Sequence, residues 1–122
     1  MPAENMPKSL ASGDAPTAAP TQIWAAPNNR STDLHQIKTV NNSGANRTVS
    51  VTLRRKLPDG TYDSERNMGT PSVLLADKEH ADWVDAPGLQ LDPSDAIHCV
   101  ASGSGVDFLV TGFVNDQIDE GI

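Results

Sequence analysis

The chain has 122 residues, of which 37% are hydrophobic and 4% aromatic, and its formal net charge is −7. This length indicates one domain with a modest core. The acidic balance argues against binding to a nucleic-acid backbone, which requires clustered lysine and arginine. The sequence has no apolar run of about eighteen residues, so it predicts no membrane-spanning helix.

The segment 1–20 differs in composition from the rest of the chain. It contains Pro2, Pro7, Pro16 and Pro20 and has no aromatic or β-branched aliphatic side chain. Such a segment has too little apolar area to offset the conformational entropy lost on ordering. We therefore predict an extended or disordered N-terminal arm over residues 1–20, either a loose tail or a tether lying on neighbouring subunits.

The segment Thr32–Asn41 has apolar residues at a spacing of three. Leu34, Ile37 and Val40 mark this spacing, which by itself suggests a helix. The surrounding threonine and asparagine residues disfavour a helix. We predict a strand with a β-bulge, because one extra residue restores the period of two.

The segment Arg47–Leu57 has the clearest alternation in the chain. Val49, Val51 and Leu53 point to one side, and the polar residues between them point to the other. The sequence therefore predicts a strand whose three apolar side chains are buried. The basic run Arg54–Lys56 at its end cannot form one face, since consecutive side chains of a strand alternate sides.

Residues 96–114 form the most apolar stretch and are predicted to be a hairpin of two strands joined by the turn Ser102–Gly105. The second strand has Leu109 and Phe113 on one face, and Phe108 with three valines on the other. A strand that is apolar on both faces is covered on both faces. We expect the domain's own second sheet to cover one face and a partner to cover the other.

Turn signals separate the remaining short apolar segments, which are also predicted to be strands. These segments are Thr21–Ala25, Pro71–Leu75, His80–Val84 and Leu89–Leu91. Asn42–Asn46 is predicted to be a hairpin loop and Tyr62–Thr70 a loop. About eight short strands without a helix predict an all-β domain over residues 21–114, either an antiparallel β-sandwich or a jelly-roll-like barrel. An acidic C-terminal tail follows over residues 115–122.

The chain has no recognisable catalytic or metal-binding motif. The histidines are His35, His80 and His98, and none lies at a zinc-ligand spacing from another or from Cys99. The thiol of Cys99, in an apolar strand, is predicted to be buried in the core. Asp92 and Asp95 bracket a turn and lack the alternating oxygen ligands of a calcium loop. We expect no catalytic residue, no metal and no cofactor.

Trp24 and Trp83 have the large amphipathic side chains that anchor interfaces, although core packing is equally consistent with the sequence. Trp24 follows the arm directly, which favours it as the contact residue. The candidate partner-binding residues are Pro7, Pro16, Pro20, Ile23, Trp24, Trp83, Leu109 and Phe113.

Five short motifs together resemble small all-β virion proteins of tailed bacteriophages. These motifs are Ile23–Pro27, Val40–Ser43, Thr48–Val51, Leu89–Ile97 and Val106–Gly112. The family has a Trp/Tyr-x-x-Pro opening, a Val-Asn-Asn strand and a Leu-x-Pro-Gly-Asp-x-Ile turn. The resemblance extends over residues 21–114, and Ser94 departs from it where the family has glycine.

The resemblance implies a virion structural protein, most simply a capsid decoration (cement) protein on the outside of the capsid. Its partners would be the major capsid protein, copies of itself, or both, in an oligomeric arrangement made in the host cytoplasm, without nucleic acid or membrane. A neck or tail adaptor or a fibre component is the alternative within this class. A carbohydrate-binding β-sandwich is the alternative from another class, and it would need Trp24, Tyr62 or Trp83 as exposed aromatic platforms.

Overall fold

The computed structural model describes residues 8–63, 66–67, 72–84 and 89–115, with the backbone alone at 66–67. Every regular element of these residues is a β-strand, and the strands form two antiparallel five-stranded sheets. Buried side chains from both sheets form one hydrophobic core. The predicted all-β sandwich is confirmed.

Each sheet contains two short strands that share one position. Sheet A consists of β1 (Lys8–Asp14), β3 (Thr32–Asn41), β7 (His80–Asp82), β8 (Leu89–Leu91) and β10 (Val106–Val114). Sheet B consists of β2 (Thr21–Ala25), β4 (Arg47–Arg54), β5 (Arg66–Asn67), β6 (Val73–Leu75) and β9 (Ala96–Ala101). Strands β7 and β8 both pair with β3, and β5 and β6 both pair with β4.

The strand order is that of a jelly roll. Sheet A runs β1-β10-β3 and then β7 with β8, and sheet B runs β2-β9-β4 and then β5 with β6. The chain crosses between the sheets six times, including the steps from β1 to β2 and from β9 to β10. Eight sheet positions in this order match the double Greek key of a jelly roll.

Two turns that the sequence predicts as hairpins instead connect the two sheets. The turn 42–46 joins β3 of sheet A to β4 of sheet B, and the turn 102–105 joins β9 of sheet B to β10 of sheet A. The hairpin predictions are therefore wrong at both places. The turns lie side by side, since the N–H of Asn42 donates to the carbonyl of Gly105 at 2.8 Å. Gly105 has φ +95°, and a Cβ there would lie 2.5 Å from Cβ of Ser43.

The core contains the three apolar side chains predicted from the alternation of β4. Val49 and Val51 have no exposed surface and Leu53 is 8% exposed. Ile37 of β3 and Val110 of β10 belong to the same buried cluster. This part of the sequence prediction is confirmed.

The predicted β-bulge lies in the middle of β3. The register shifts by one residue opposite Thr111–Gly112, which leaves His35 as the extra residue. Leu34 and Ile37 are consequently both buried, although three positions separate them. The bulge explains the helix-like spacing in the sequence.

The third apolar residue of that spacing, Val40, does not lie in the core. The neighbouring Asn41 is fully buried instead. Its side-chain Nδ2 donates to the carbonyls of Ala45 at 2.6 Å and Leu75 at 2.9 Å, and its Oδ1 accepts from the N–H of Ser43 at 3.0 Å. These bonds satisfy a buried amide and join β3 to the following turn and to β6.

The arm predicted over residues 1–20 differs from the structure within β1. Residues Lys8–Asp14 are extended, as predicted, but they form the edge strand of sheet A by pairing with β10. Leu10 and Ala11 pack against the core, and the N–H of Ala15 donates to the carbonyl of Val106 at 2.7 Å. Small residues suffice here because strand pairing requires backbone groups and little side-chain volume. Residues 1–7 lie outside the described part of the chain.

The motif turn with Ser94 is a type II β-turn. The N–H of Asp95 donates to the carbonyl of Asp92 at 3.0 Å, Pro93 occupies the second position, and Ser94 has φ 70°. The third position of a type II turn requires positive φ, which explains why the family pattern has glycine there.

Two other predicted segments are described in part. Tyr62–Thr70, predicted as a loop, contains the short strand β5 on the edge of β4. Of the tail 115–122, the structure describes Asn115. Its N–H donates to the carbonyl of Ser31 at 2.9 Å and its Nδ2 donates to Oγ of Ser31 at 2.8 Å.

Candidate functional site

The outer face of sheet A carries Leu109 and Phe113, two of the candidate partner-binding residues. Both side chains are half-buried. In the register of the sheet, Leu109 lies opposite Lys38 and Phe113 lies opposite Asp33. The described residues form two layers, so none of them forms a third layer over this surface. We call it outer face A.

Carboxylates lie along the margin of outer face A. Asp14 of β1 lies directly opposite Asp107 of β10, and both are exposed. Like charges at opposed positions of a sheet repel. On the other margin Asp82 lies opposite Lys38 and accepts a hydrogen bond from Nε2 of Gln36 at 2.8 Å. The β1–β10 margin is therefore suited to a cationic neighbour.

The outer face of sheet B has a different character. Its side chains are Gln22, Thr48, Ser50, Thr52, Leu74, His98 and Val100, which follow from the cross-strand register. None carries a formal charge at neutral pH with histidine neutral, and Leu74 is 65% exposed. We call this surface outer face B. The sequence analysis did not identify it, although the polar positions of β4 already contained its hydroxyl side chains.

The prolines of the predicted arm lie in the connection that crosses from β1 to β2. Pro16 is half-buried, and its carbonyl accepts from the N–H of Ala101 at 2.8 Å. Pro20 is exposed. Pro7 lies outside the described residues. The structure thus fixes one of the three prolines against the body and leaves one accessible.

Ile23 and Trp24 of β2 pack against the core. The register shifts between Gln22 and Trp24, so Ile23 is the extra residue of a bulge, and Trp24 lies opposite the fully buried Ile97. Nε1 of Trp24 is buried without a hydrogen-bond partner among the described residues. Both side chains are half-buried, and each leaves a part of its surface for a partner.

Trp83 packs inside the core. It is 4% exposed, and its Nε1 donates to Oγ1 of the buried Thr39 at 2.9 Å. Its backbone N–H donates to the carbonyl of Ile37 at 2.9 Å. Of the two roles that the sequence left open for Trp83, core packing is the one observed, so this residue is corrected from the partner-binding set.

A basic and aromatic cluster lies at the end of β4. Lys56 pairs with Tyr62 across the hairpin that extends this strand. The guanidinium carbon of Arg54 lies 5.7 Å from the centre of the Tyr62 ring, and Nζ of Lys56 lies 5.6 Å from it. Both distances fall within the range of cation–π contacts. We call Arg54, Lys56 and Tyr62 the Tyr62 cluster.

Arg55 points away from the Tyr62 cluster, as predicted for a strand. One terminal nitrogen lies 2.8 Å from Oδ2 of Asp95, a carboxylate with 3% side-chain exposure. Asp95 also accepts from the backbone N–H groups of Asp92 at 3.0 Å and Lys56 at 3.2 Å. The carboxylate is thus occupied in fastening the type II turn to the end of β4.

The histidines and the cysteine are not brought together. His35 lies in the bulge of β3, His80 in β7 and His98 on outer face B. Cys99 is 1% exposed, and burial raises the pKa of its thiol to about 11. The predicted buried core thiol is confirmed. Within the described residues no group of three His, Cys, Asp or Glu side chains could hold a metal ion.

The chain matches no protein-family model, no curated protein and no solved structure. Among the described residues, no helix is long and apolar enough to cross a membrane. The functional argument therefore depends on the surfaces of the molecule itself.

Proposed function

We propose that the protein is a capsid decoration (cement) protein that binds the assembled shell of a tailed bacteriophage and stabilises it. The observation that carries the proposal is the outward pair Leu109 and Phe113 on β10. Large apolar side chains in the centre of a sheet, without a covering layer among the described residues, suit a protein partner. The sequence motifs that resemble small virion proteins support the same class.

The jelly-roll strand order is compatible with this class but does not select it. Jelly rolls occur in viral capsid proteins, in lectins and in cupins, and a fold by itself does not imply a function. We use the fold as an analogy, and the surface residues carry the argument.

The carbohydrate-binding alternative requires exposed aromatic platforms. Trp83 is buried in the core, and Trp24 packs against the core beside Ile97. Tyr62 is thus the one outward aromatic ring among the three candidates, and two cations lie against it. This arrangement favours the structural role.

The proposed attachment combines apolar contact with charge complementarity. Leu109 and Phe113 would insert between side chains of the shell, while Asp14 and Asp107 would meet lysine or arginine. The outer edge of β1 could add a strand of the shell protein through backbone hydrogen bonds. Many weak contacts on a regular lattice would reinforce one another.

The test uses virus particles with and without the protein. We expect that particles lacking it release DNA at a lower temperature, because a protein that binds the assembled shell stabilises that state by mass action. Purified protein added back should restore the release temperature, and a quantitative gel should show hundreds of copies per particle. An unchanged release temperature with about a dozen copies, as in a closed ring, would instead indicate a neck or tail adaptor.

A further inference from the structure

The Tyr62 cluster is a concentrated positive surface on an acidic protein. Arg54 and Lys56 both contact the same ring, and no carboxylate of the described residues forms an ion pair with either. The one hydrogen bond of the Arg54 side chain is from Nε to the carbonyl of Asp63, at 3.0 Å. The terminal nitrogens of Arg54 and the ammonium of Lys56 are therefore available to an anionic partner.

The arrangement of these cations favours a bound carboxylate. Arg54 and Lys56 are two positions apart on an extended chain, so their Cα atoms are about 6.6 Å apart on the same side. Two like charges at this separation repel, and an anion between them would be attracted by both. The half-buried Tyr62 ring excludes water from one side of the site, which strengthens such an ion pair.

An acidic segment of the same chain begins nearby. Residues 116–122 contain Asp116, Asp119 and Glu120 and no basic residue. Asn115, which precedes them, is held by two hydrogen bonds to Ser31. Seven residues can span at most about 23 Å when extended.

The anchor and the cluster lie at the same end of the sandwich. Ser31 belongs to the connection from β2 to β3, and the cluster belongs to the hairpin after β4. The type II turn joins these connections, because the N–H of Ser94 donates to the carbonyl of Ala26 at 3.2 Å and Asp95 binds Arg55. Both connections are therefore adjacent to one turn, within reach of the tail.

We propose that the acidic segment 116–122 binds the Tyr62 cluster of its own molecule. The segment would place its carboxylates on the cations of Arg54 and Lys56, and a second acidic polypeptide could reach the cluster only by displacing it. The tail would thus be an intramolecular competitor at an interaction surface for acidic peptides. This inference is independent of the proposed role in the capsid.

The single tyrosine of the chain provides a direct probe. With ¹³C in the tyrosine ring, we compare the NMR shifts of Tyr62 in the full chain and in a chain ending at Asn115. We expect different ring shifts in the two proteins at low salt. Increasing salt should move the full chain toward the truncated one, because salt screens the ion pairs. Identical spectra at low salt would overturn the proposal.

Charge variants separate a specific contact from a general effect of truncation. D116N/D119N/E120Q keeps the length of the tail and should reproduce the ring shifts of the truncated protein. K38A, on outer face A, is the matched control for K56A. We expect K56A to abolish the difference between full and truncated chains and K38A to preserve it. Retention of the difference in K56A, or of the full-chain shifts in the triple variant, would contradict the proposal.

A peptide experiment distinguishes binding within one molecule from binding between copies. A synthetic peptide of residues 116–122, added to the truncated protein, should restore the full-chain shifts at about millimolar concentration, the usual effective concentration of a short linker. In the full chain the shifts should not change on tenfold dilution. A change on dilution would place the tail on a neighbouring copy and overturn the proposal of an intramolecular contact.

Discussion

The two outer faces of the sandwich come from strands with the same alternation but serve different needs. Outer face A combines Leu109 and Phe113 with charged neighbours such as Lys38 and Asp107. Outer face B carries short neutral side chains and the exposed Leu74. Alternation thus determines which side chains point outward, whereas their size and charge determine what the surface can bind.

The same contrast applies to the edges of the two sheets. In sheet A the strand β1 extends the sheet beyond β10, and in sheet B the strand β2 extends it beyond β9. Both edge strands contain a register shift, at Leu10 and at Ile23. Bulges at edges disrupt a flat ladder, which limits unspecific strand addition.

The largest expected effect tests which side of β4 is the inside. Val51→Asp buries an unpaired carboxylate, a cost of several kcal/mol that is comparable with the whole stability of a small domain. We expect loss of the folded state in far-UV circular dichroism. Thr48→Asp, at an exposed position of the same strand, should change the free energy of unfolding by about 0.5 kcal/mol or less. A Val51→Asp protein that melts like the parent would show that the assigned faces are reversed.

Deletion of β1 tests whether sheet A depends on its N-terminal edge. A chain that begins at Ala15 loses the packing of Leu10 and Ala11 and the ladder on β10. We expect the free energy of unfolding in urea to fall by about 3 kcal/mol. A chain that begins at Lys8 is the control and should remain within about 0.5 kcal/mol of the parent. Equal stability of both truncated chains would mean that β1 contributes nothing to the fold.

The pH dependence of stability tests the inward side of β9. The thiol of Cys99 has a pKa raised from 9.0 to about 11 in the folded state, so the folded state retains the proton between these values while the unfolded state loses it. Stability is therefore complete below pH 9 and decreases as the pH rises to about 11, by up to about 3 kcal/mol. The stability difference between the parent and Cys99→Ala, measured in urea at several pH values, should shrink over this interval. A constant difference would contradict the buried thiol.

Binding to the shell tests the functional difference between the two outer faces. Phe113→Ser on outer face A should weaken binding of the purified protein to stripped particles about tenfold, the effect of losing one moderate anchor. Val100→Ser removes an apolar side chain from outer face B and should leave the affinity within about twofold. The reverse result, with Val100→Ser the weaker binder, would move the proposed contact to outer face B.

The smallest expected effect concerns turns that connect the sheets. Ser94, between β8 and β9, and Lys78, between β6 and β7, both have φ 70°. Glycine adopts this conformation without steric cost, so Ser94→Gly and Lys78→Gly should each raise the free energy of unfolding by about 0.5 kcal/mol. Thermal melting is sufficient to detect the change. A destabilised Ser94→Gly would indicate that its hydroxyl bond to Asn28, at 3.0 Å, outweighs the backbone strain.

Much of the strand pattern could be predicted because it depends on local physics. The alternation of Val49, Val51 and Leu53 is a direct consequence of side chains pointing to opposite faces of a strand. The bulge in β3 could also be predicted, because only an extra residue reconciles the spacing of Leu34 and Ile37 with a period of two. The all-β class follows from many such short segments.

The candidate surfaces could be predicted in part. Leu109 and Phe113 lie on the outward face, as the alternation of β10 indicates. The Tyr62 cluster was missed because the hairpin register, set by the pairing of Lys56 with Tyr62, brings it together. Trp24 and Trp83 could not be distinguished, since their packing depends on strands that are distant in the sequence.

The sequence by itself determined which segments are strands, where the turns occur and which side chains of each strand share a face, since these depend on neighbouring residues. The tertiary structure alone decided that the turns 42–46 and 102–105 cross between sheets and that Lys8–Asp14 completes sheet A. The physical reason is that glycine, serine and asparagine permit a tight turn of either kind. The choice of partner strand depends on hydrogen bonds and apolar burial between segments far apart in the chain.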